Sequence, residues 1–189
     1  MSDIDLTDKL SNKLGKKYRK VGRYSVSDMY AIKAGWLTPE LFLHPEPVDF
    51  VGLMRMMSGI IMHEKIQMLY SKDDCEIKKI FKYKDIEIVG KCDYLPPMPS
   101  DEIWDFKSSE KIMDKMKPWA KDQIKCYCTM FEREWGVIYQ PVIKNARFIL
   151  KDLGRVQRDD LWFTKRCEEL YSFHERVVEL AKKEGLLAI

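Results

Sequence analysis

The chain has 189 residues, 46% of them hydrophobic and 12% aromatic, which is ample for a buried core and too much for a disordered segment. Lysine and arginine number 33 against 30 aspartates and glutamates, a net charge of +3 that does not by itself demand a nucleic-acid partner. No uncharged apolar run approaches the roughly 18 residues of a membrane span. The opening MSDIDLTDKL lacks the basic-then-apolar order of a signal peptide, and five irregularly spaced cysteines do not form a disulfide framework. A soluble cytoplasmic protein with one main domain is expected.

From Lys9 to Arg23 there are seven basic residues and no acid, consistent either with a solvated arm or with one that contacts phosphates. Residues 1–24 are read as this arm and 25–189 as a single domain. Ser25 or Ser27 is placed to cap a short helix through Met29 and Ala31. Thr38 to Pro47 reads as loop and turn. Val51 to Tyr70 is a helix, with Leu53, Met54, Met57, Ile61, Met62, Ile66 and Leu69 at helical spacing and its methionines taken as adaptable core filling. Glu76 to Phe81 and Asp85 to Tyr94 alternate as two strands about a turn at Tyr83–Lys84–Asp85. Three prolines between Leu95 and Asp101 end the second strand, and Ile103 to Ser108 forms a third. Pro118 opens a helix to about Glu134, and Gly136 is read as its stop. Strands follow at Val137 to Ile143 and Arg147 to Leu150, then an amphipathic helix over Asp159 to Glu184 with Gly185 as its stop. The expected fold class is mixed α/β, without repeats.

The informative segment is GKCDYLPPMPSDEIWDFKSS, Gly90 to Ser109. Alternate side chains of a strand share a face, so Asp105 and Lys107 point one way and Trp104 and Phe106 the other. The aromatic pair is expected in the core, with the acid and lysine together on the opposite face. A hairpin centred near residue 99 sets Asp93 directly opposite Asp105, with Cβ atoms about 4.5–5.5 Å apart. Two carboxylates so close repel unless a proton or cation lies between them, and hard divalent cations favour such ligands. An acid-x-lysine triplet alone is uninformative, since Glu76–Ile77–Lys78 is another. His63 follows Gly59 by one helical turn, and Gln123 and Tyr127 share a helix face at i, i+4.

In order, Gly59 with His63, Gly90 with Asp93, Asp105 with Lys107, and Gln123 with Tyr127 resemble the motifs of the RecB-like branch of the PD-(D/E)XK nuclease superfamily. The resemblance runs from about Ser25, where SVSDM is similar to the start of these nucleases, to Ile143. It implies a restriction-endonuclease-like core, a central mixed β-sheet flanked by helices. It further implies that Asp93, Asp105, the Phe106 backbone carbonyl and His63 ligate Mg²⁺ or Mn²⁺. Lys107 would orient or help deprotonate the attacking water, and Gln123 and Tyr127 would position the substrate strand. The iron–sulfur members of the family carry one cysteine near the N-terminus and three near the C-terminus. Here the first cysteine is Cys75 and only Cys167 lies beyond Cys128, so no iron–sulfur cluster is expected.

The function so implied is a metal-dependent DNA nuclease working as an exonuclease or preferring single strands, with DNA (single-stranded or duplex ends) as partner and no membrane association. A compact chain has little surface to spare for reading base sequence. The alternative is a catalytically silent nucleic-acid-binding or partner-docking module on the same fold. An RNA substrate, and one metal ion against two, remain open at this point.

Overall fold

A computed structural model of the chain describes residues 19–109 and 111–187. Of the basic segment, Lys9, Lys13, Lys16 and Lys17 therefore lie outside the described residues. Residues 19–22, with a turn at Val21–Gly22, lead into β1 (Arg23–Ser25), followed at once by α1 (Val26–Lys33). Ser25, not Ser27, is the cap: its hydroxyl accepts from Asp28 N at 3.3 Å, and the Asp28 carboxylate accepts from Ser25 N at 2.8 Å. The expected loop at Thr38 contains instead a short helix, α2 (Pro39–Leu43), with Thr38 as its side-chain cap and proline at its start. Phe42 anchors it in the core, its ring 5.0 Å from Tyr24 and 6.1 Å from Phe173.

The β2 (Lys78–Tyr83) and β3 (Ile86–Lys91) strands form the expected hairpin, with Lys84 at φ 52° in the turn. β1 pairs parallel to β3, giving a three-stranded sheet in the order β1-β3-β2. The strands β4 (Glu102–Phe106), β5 (Trp135–Lys144) and β6 (Arg147–Gln157) form a second sheet, with β4 parallel and β6 antiparallel to β5. The single central sheet of the sequence reading is thus two mixed sheets. Single bridges from Tyr94 to Cys75 and to Trp104 connect them. The remaining helices are α3 (Phe50–Gln67), α4 (Pro118–Phe131) and α5 (Asp160–Lys183). Among the described residues, no helix is long and apolar enough to cross a membrane.

The main core gathers Tyr24, Met29, Ile88, Ile103, Ile124, Phe163 and Phe173 from both sheets and helices α1, α4 and α5. A smaller apolar cluster of Ile66, Cys75, Tyr94 and Phe106 lies on the other side of β4. Two expectations fail here for tertiary reasons. Gly136 does not stop α4, which ends at Phe131 with Glu132 in the left-handed region at φ 57°. Gly136 sits inside β5, where an added Cβ would fall 2.4 Å from Ile124 Cγ1 and 2.8 Å from Cys128 Sγ, so it is the residue that lets helix and strand touch. Nor do most of the α3 methionines fill the core, though Met62 packs half-buried against the smaller cluster. Of the described side chains in that helix only Leu53 and Ile66 are buried, while Met54, Met56, Ile60 and Ile61 are exposed.

Candidate functional site

The chain leaves β3 through Cys92 and Asp93, and the backbone of Tyr94 pairs with that of Trp104 in the register the hairpin arithmetic requires, at 2.9 and 3.2 Å. Asp93 and Asp105 thereby stand opposite each other. Asp93 Oδ2 accepts from Phe106 N–H at 2.6 Å, which ties the two strands at the level of the acids. The expected division of faces needs correction. Asp105 does not lie on an open face: it is 1% exposed, and Asp93 6%, because both sides of β4 are packed. Ile103 joins the main core, while Phe106 and Trp104 belong to the smaller cluster.

Lys107 Nζ lies 2.5 Å from Asp105 Oδ2, an ion pair whose geometry does not align as a hydrogen bond, so that buried oxygen has no hydrogen-bond partner. The lysine donates instead to Gln123 Oε1 at 2.8 Å, and Gln123 Nε2 donates to Tyr127 Oη at 2.8 Å. The shared helix face read for Gln123 and Tyr127 is therefore the face that meets the end of β4. His63 Nδ1 reaches Asp93 Oδ1 at 3.4 Å. Close approach at two glycines sets these distances. A Cβ at Gly59 would meet Ser108 Oγ at 3.1 Å, and one at Gly90 would meet Met130 Cε at 2.9 Å and Tyr127 Cδ1 at 3.4 Å.

The electrostatics separate the two acids. Burial raises the Asp105 carboxyl; Lys107 opposes this, Asp93 adds to it, and the result is pushed up to about 7. Burial acts in the same sense on Asp93, but the hydrogen bond and charge of His63, with Lys107 and the Phe106 N–H, hold that carboxyl below its ordinary range. For His63 burial disfavours the charged ring, yet Asp93 and then Asp105 outweigh it and raise the imidazole. The site thus has one readily ionised acid and one whose ionisation is displaced toward neutral pH.

Sequence reasoning missed a fourth group. Glu76, set aside as part of an uninformative triplet, brings a carboxylate oxygen within 4.8 Å of ligand atoms of both His63 and Asp93. Its N–H donates to Asp93 O at 3.2 Å, its Oε1 accepts from Gln67 Nε2 at 3.0 Å, and Lys91 Nζ pairs with Oε2. The signal was available: the β2–β3 register, Tyr83 opposite Ile86 and Lys78 opposite Lys91, carries Glu76 level with Asp93 when extended by two residues. Trp119 was also missed. It lies in the first turn of α4 with Lys107 Nζ 5.1 Å from its ring centroid. All these groups line one cleft of about 1140 Å³ between α3 and the start of α4. The five cysteines are buried free thiols. Burial pushes Cys92, Cys128 and Cys167 up to about 12, and raises Cys75 and Cys126 as well.

No protein-family model matches the sequence, and no curated protein matches it either. The architecture is the restriction-endonuclease-like mixed α/β fold in which solved exonuclease structures are built. One of these is the alkaline exonuclease LHK-Exo from Laribacter hongkongensis, with a TM-score of 0.59, 12% identity, and coverage of 96% of this chain and 100% of that one. Its complex with dAMP gives 0.58 at 12% identity, covering 89% and 96%. The structure of SSO0001 gives 0.55 at 15% identity, covering 87% and 81%.

Proposed function

We propose that the chain is a metal-dependent nuclease of the RecB-like branch of the PD-(D/E)XK superfamily, hydrolysing DNA phosphodiester bonds from ends or in single strands. The observation that carries this reading is the meeting of Asp93, Asp105 and Lys107 at the floor of one cleft, with a buried carboxylate oxygen left without a hydrogen bond. The exonuclease identity of the fold's solved counterparts, one of them holding dAMP, supports the same chemistry.

The residues fit a hard divalent cation. Asp105 Oδ2 is buried against the Lys107 ammonium, Asp93 Oδ1 faces the imidazole, and the donor set is carboxylate and imidazole without thiolate. Asp93, Asp105, the Phe106 carbonyl and His63 are the proposed ligands, with Glu76 within reach of the same ion or of a second one. A bound divalent ion makes water more acidic and stabilises charge on the phosphodiester. The chain's own part is positioning. Asp93, fixed by the Phe106 N–H, holds its carboxylate ionised. Lys107, steered by Gln123 and through it by Tyr127, offers a point charge where the scissile phosphate and attacking water meet. The packed strands around Asp105 exclude bulk water from that oxygen.

The test is incubation of the full chain with end-labelled single-stranded, linear duplex and circular DNA, and with RNA, under EDTA, Mg²⁺ or Mn²⁺. Metal-dependent shortening of linear or single-stranded DNA, lost in Asp105→Ala, is the expected outcome. DNA retention without cleavage under every metal condition would leave a silent binding module in its place.

A further inference from the structure

Trp119 is a cleft residue whose position is explained neither by the core nor by the acids. A large aromatic in the first turn of a helix ordinarily turns inward, but here Ala120 takes the buried place and Trp119 remains 37% exposed. Pro118 before it fixes the backbone at the helix start, so the indole is carried on a rigid element. The ring lines the cleft with Lys107 and Gln123, and Lys107 Nζ lies 5.1 Å from its centroid. The lysine over the ring sets a partly exposed aromatic side chain directly beside the group that would meet the scissile phosphate.

We infer that Trp119 is a substrate-positioning residue, a platform on which an unpaired base of the nucleotide next to the cleaved bond stacks. The inference rests on the nuclease reading above and narrows its substrate class. A phosphate held by Lys107 has its sugar and base within one nucleotide of the indole. An aromatic face accepts any base, so the contact selects no sequence. A paired base inside a duplex already has both faces covered by its neighbours and cannot use the platform. Single strands and frayed ends therefore gain from Trp119, and intact duplex does not.

The experiment compares the unsubstituted chain, Trp119→Ala and Trp119→Phe on three substrates: a single-stranded oligonucleotide, the same length with its bases removed, and a blunt duplex. For the unsubstituted chain, removing the bases should raise KM on the order of tenfold or more, the loss of one stacked base. Trp119→Ala should show that higher KM on the normal single strand, no further rise on the abasic one, and a kcat changed far less than KM. Trp119→Phe should recover most of the loss, and the preference for single strand over duplex should shrink in the alanine variant alone. Quenching of tryptophan fluorescence by the normal oligonucleotide, reduced in Trp119→Phe, gives a readout independent of turnover. If base removal penalises the alanine variant as much as the unsubstituted chain, the platform is refuted while the nuclease reading stands. If the unsubstituted chain cleaves none of the substrates with either metal, both fall together.

Discussion

Replacing Asp105 with asparagine should make the metal-free protein more stable at alkaline pH and leave it unchanged in acid. Burial above all holds this carboxyl at about 7 in the fold, against an ordinary 3.8. Between those two values the folded chain keeps a proton that the unfolded chain has released. The stability associated with the group is thus full below the lower value, declines as pH rises through the interval, and is fully lost above the upper one. At about 1.36 kcal/mol per pH unit, the ceiling on that loss is on the order of 4 kcal/mol. The attraction of Lys107, 2.5 Å from the carboxylate, is already contained in that shift, and relaxation with water entry around the ionised group offsets part of the ceiling. A net stabilisation of about 2 kcal/mol is expected at about pH 8.5, a rise in Tm of roughly 4–8 °C for a chain of this size. Below the ordinary value, at about pH 3 and under, the position is neutral in the folded and unfolded forms of both proteins and the difference should fade out. Thermal or urea denaturation in EDTA measures it. With Mn²⁺ added the order should reverse, because only the native carboxylate is stabilised by the ion, and Mn²⁺ affinity should climb as pH rises through the region where Asp105 ionises. Equal midpoints at alkaline pH in EDTA, or one constant difference at every pH, would refute this account of the site.

Lys107→Ala should reduce kcat by roughly 100-fold or more with little change in DNA affinity, and Lys107→Arg should not restore it, since a planar guanidinium does not reproduce the point charge; normal turnover with weakened binding would reduce Lys107 to a backbone contact. His63→Ala should cost more of the Mn²⁺-supported than of the Mg²⁺-supported activity, and Glu76→Gln should weaken Mn²⁺ binding by calorimetry. Unchanged Mn²⁺ binding in the latter would confine Glu76 to its contacts with Gln67 and Lys91. Gly136→Ala, whose Cβ would lie 2.4 Å from Ile124 Cγ1, should destabilise by about 1–3 kcal/mol; a wild-type Tm would mean that α4 can lift off β5 without penalty.

Where the determinants of structure are local, the sequence is a good guide. The last helix was read to within one residue at each end because its apolar stripe is long and its caps are explicit. The opposition of Asp93 and Asp105 followed from the number of residues separating two short strands, a quantity that needs no tertiary knowledge. β1 was invisible because three residues carry no alternation and its partner is over sixty positions away. α2 hid in a proline-rich stretch that reads equally well as turn. The same register argument that found Asp105 would have found Glu76 had it been applied to the first hairpin, whereas the triplet around Glu76 carried no such information. The apolar pattern of α3 predicted a helix correctly and a buried one incorrectly, since periodicity reports conformation and leaves open what covers each face. Trp119 had no sequence signal, because exposure at the rim of a cleft is a property of the folded surface.

The sparse burial of α3 divides the site into halves of unequal stiffness. Asp105 and Phe106 stand on a strand packed on both sides, and their amides should be among the last to exchange with solvent. His63 rides on a helix in which Leu53 and Ile66 are the only fully buried side chains among those described, with Met62 half-buried against the smaller cluster. That helix should open independently, exposing its amides to deuterium while the sheets remain closed. An ion shared between His63 and the strand carboxylates would act as a strap across the two halves. Its signature in exchange measurements would be selective protection of residues 50–67, with the sheets unchanged, so that occupancy is read in the dynamics of one helix.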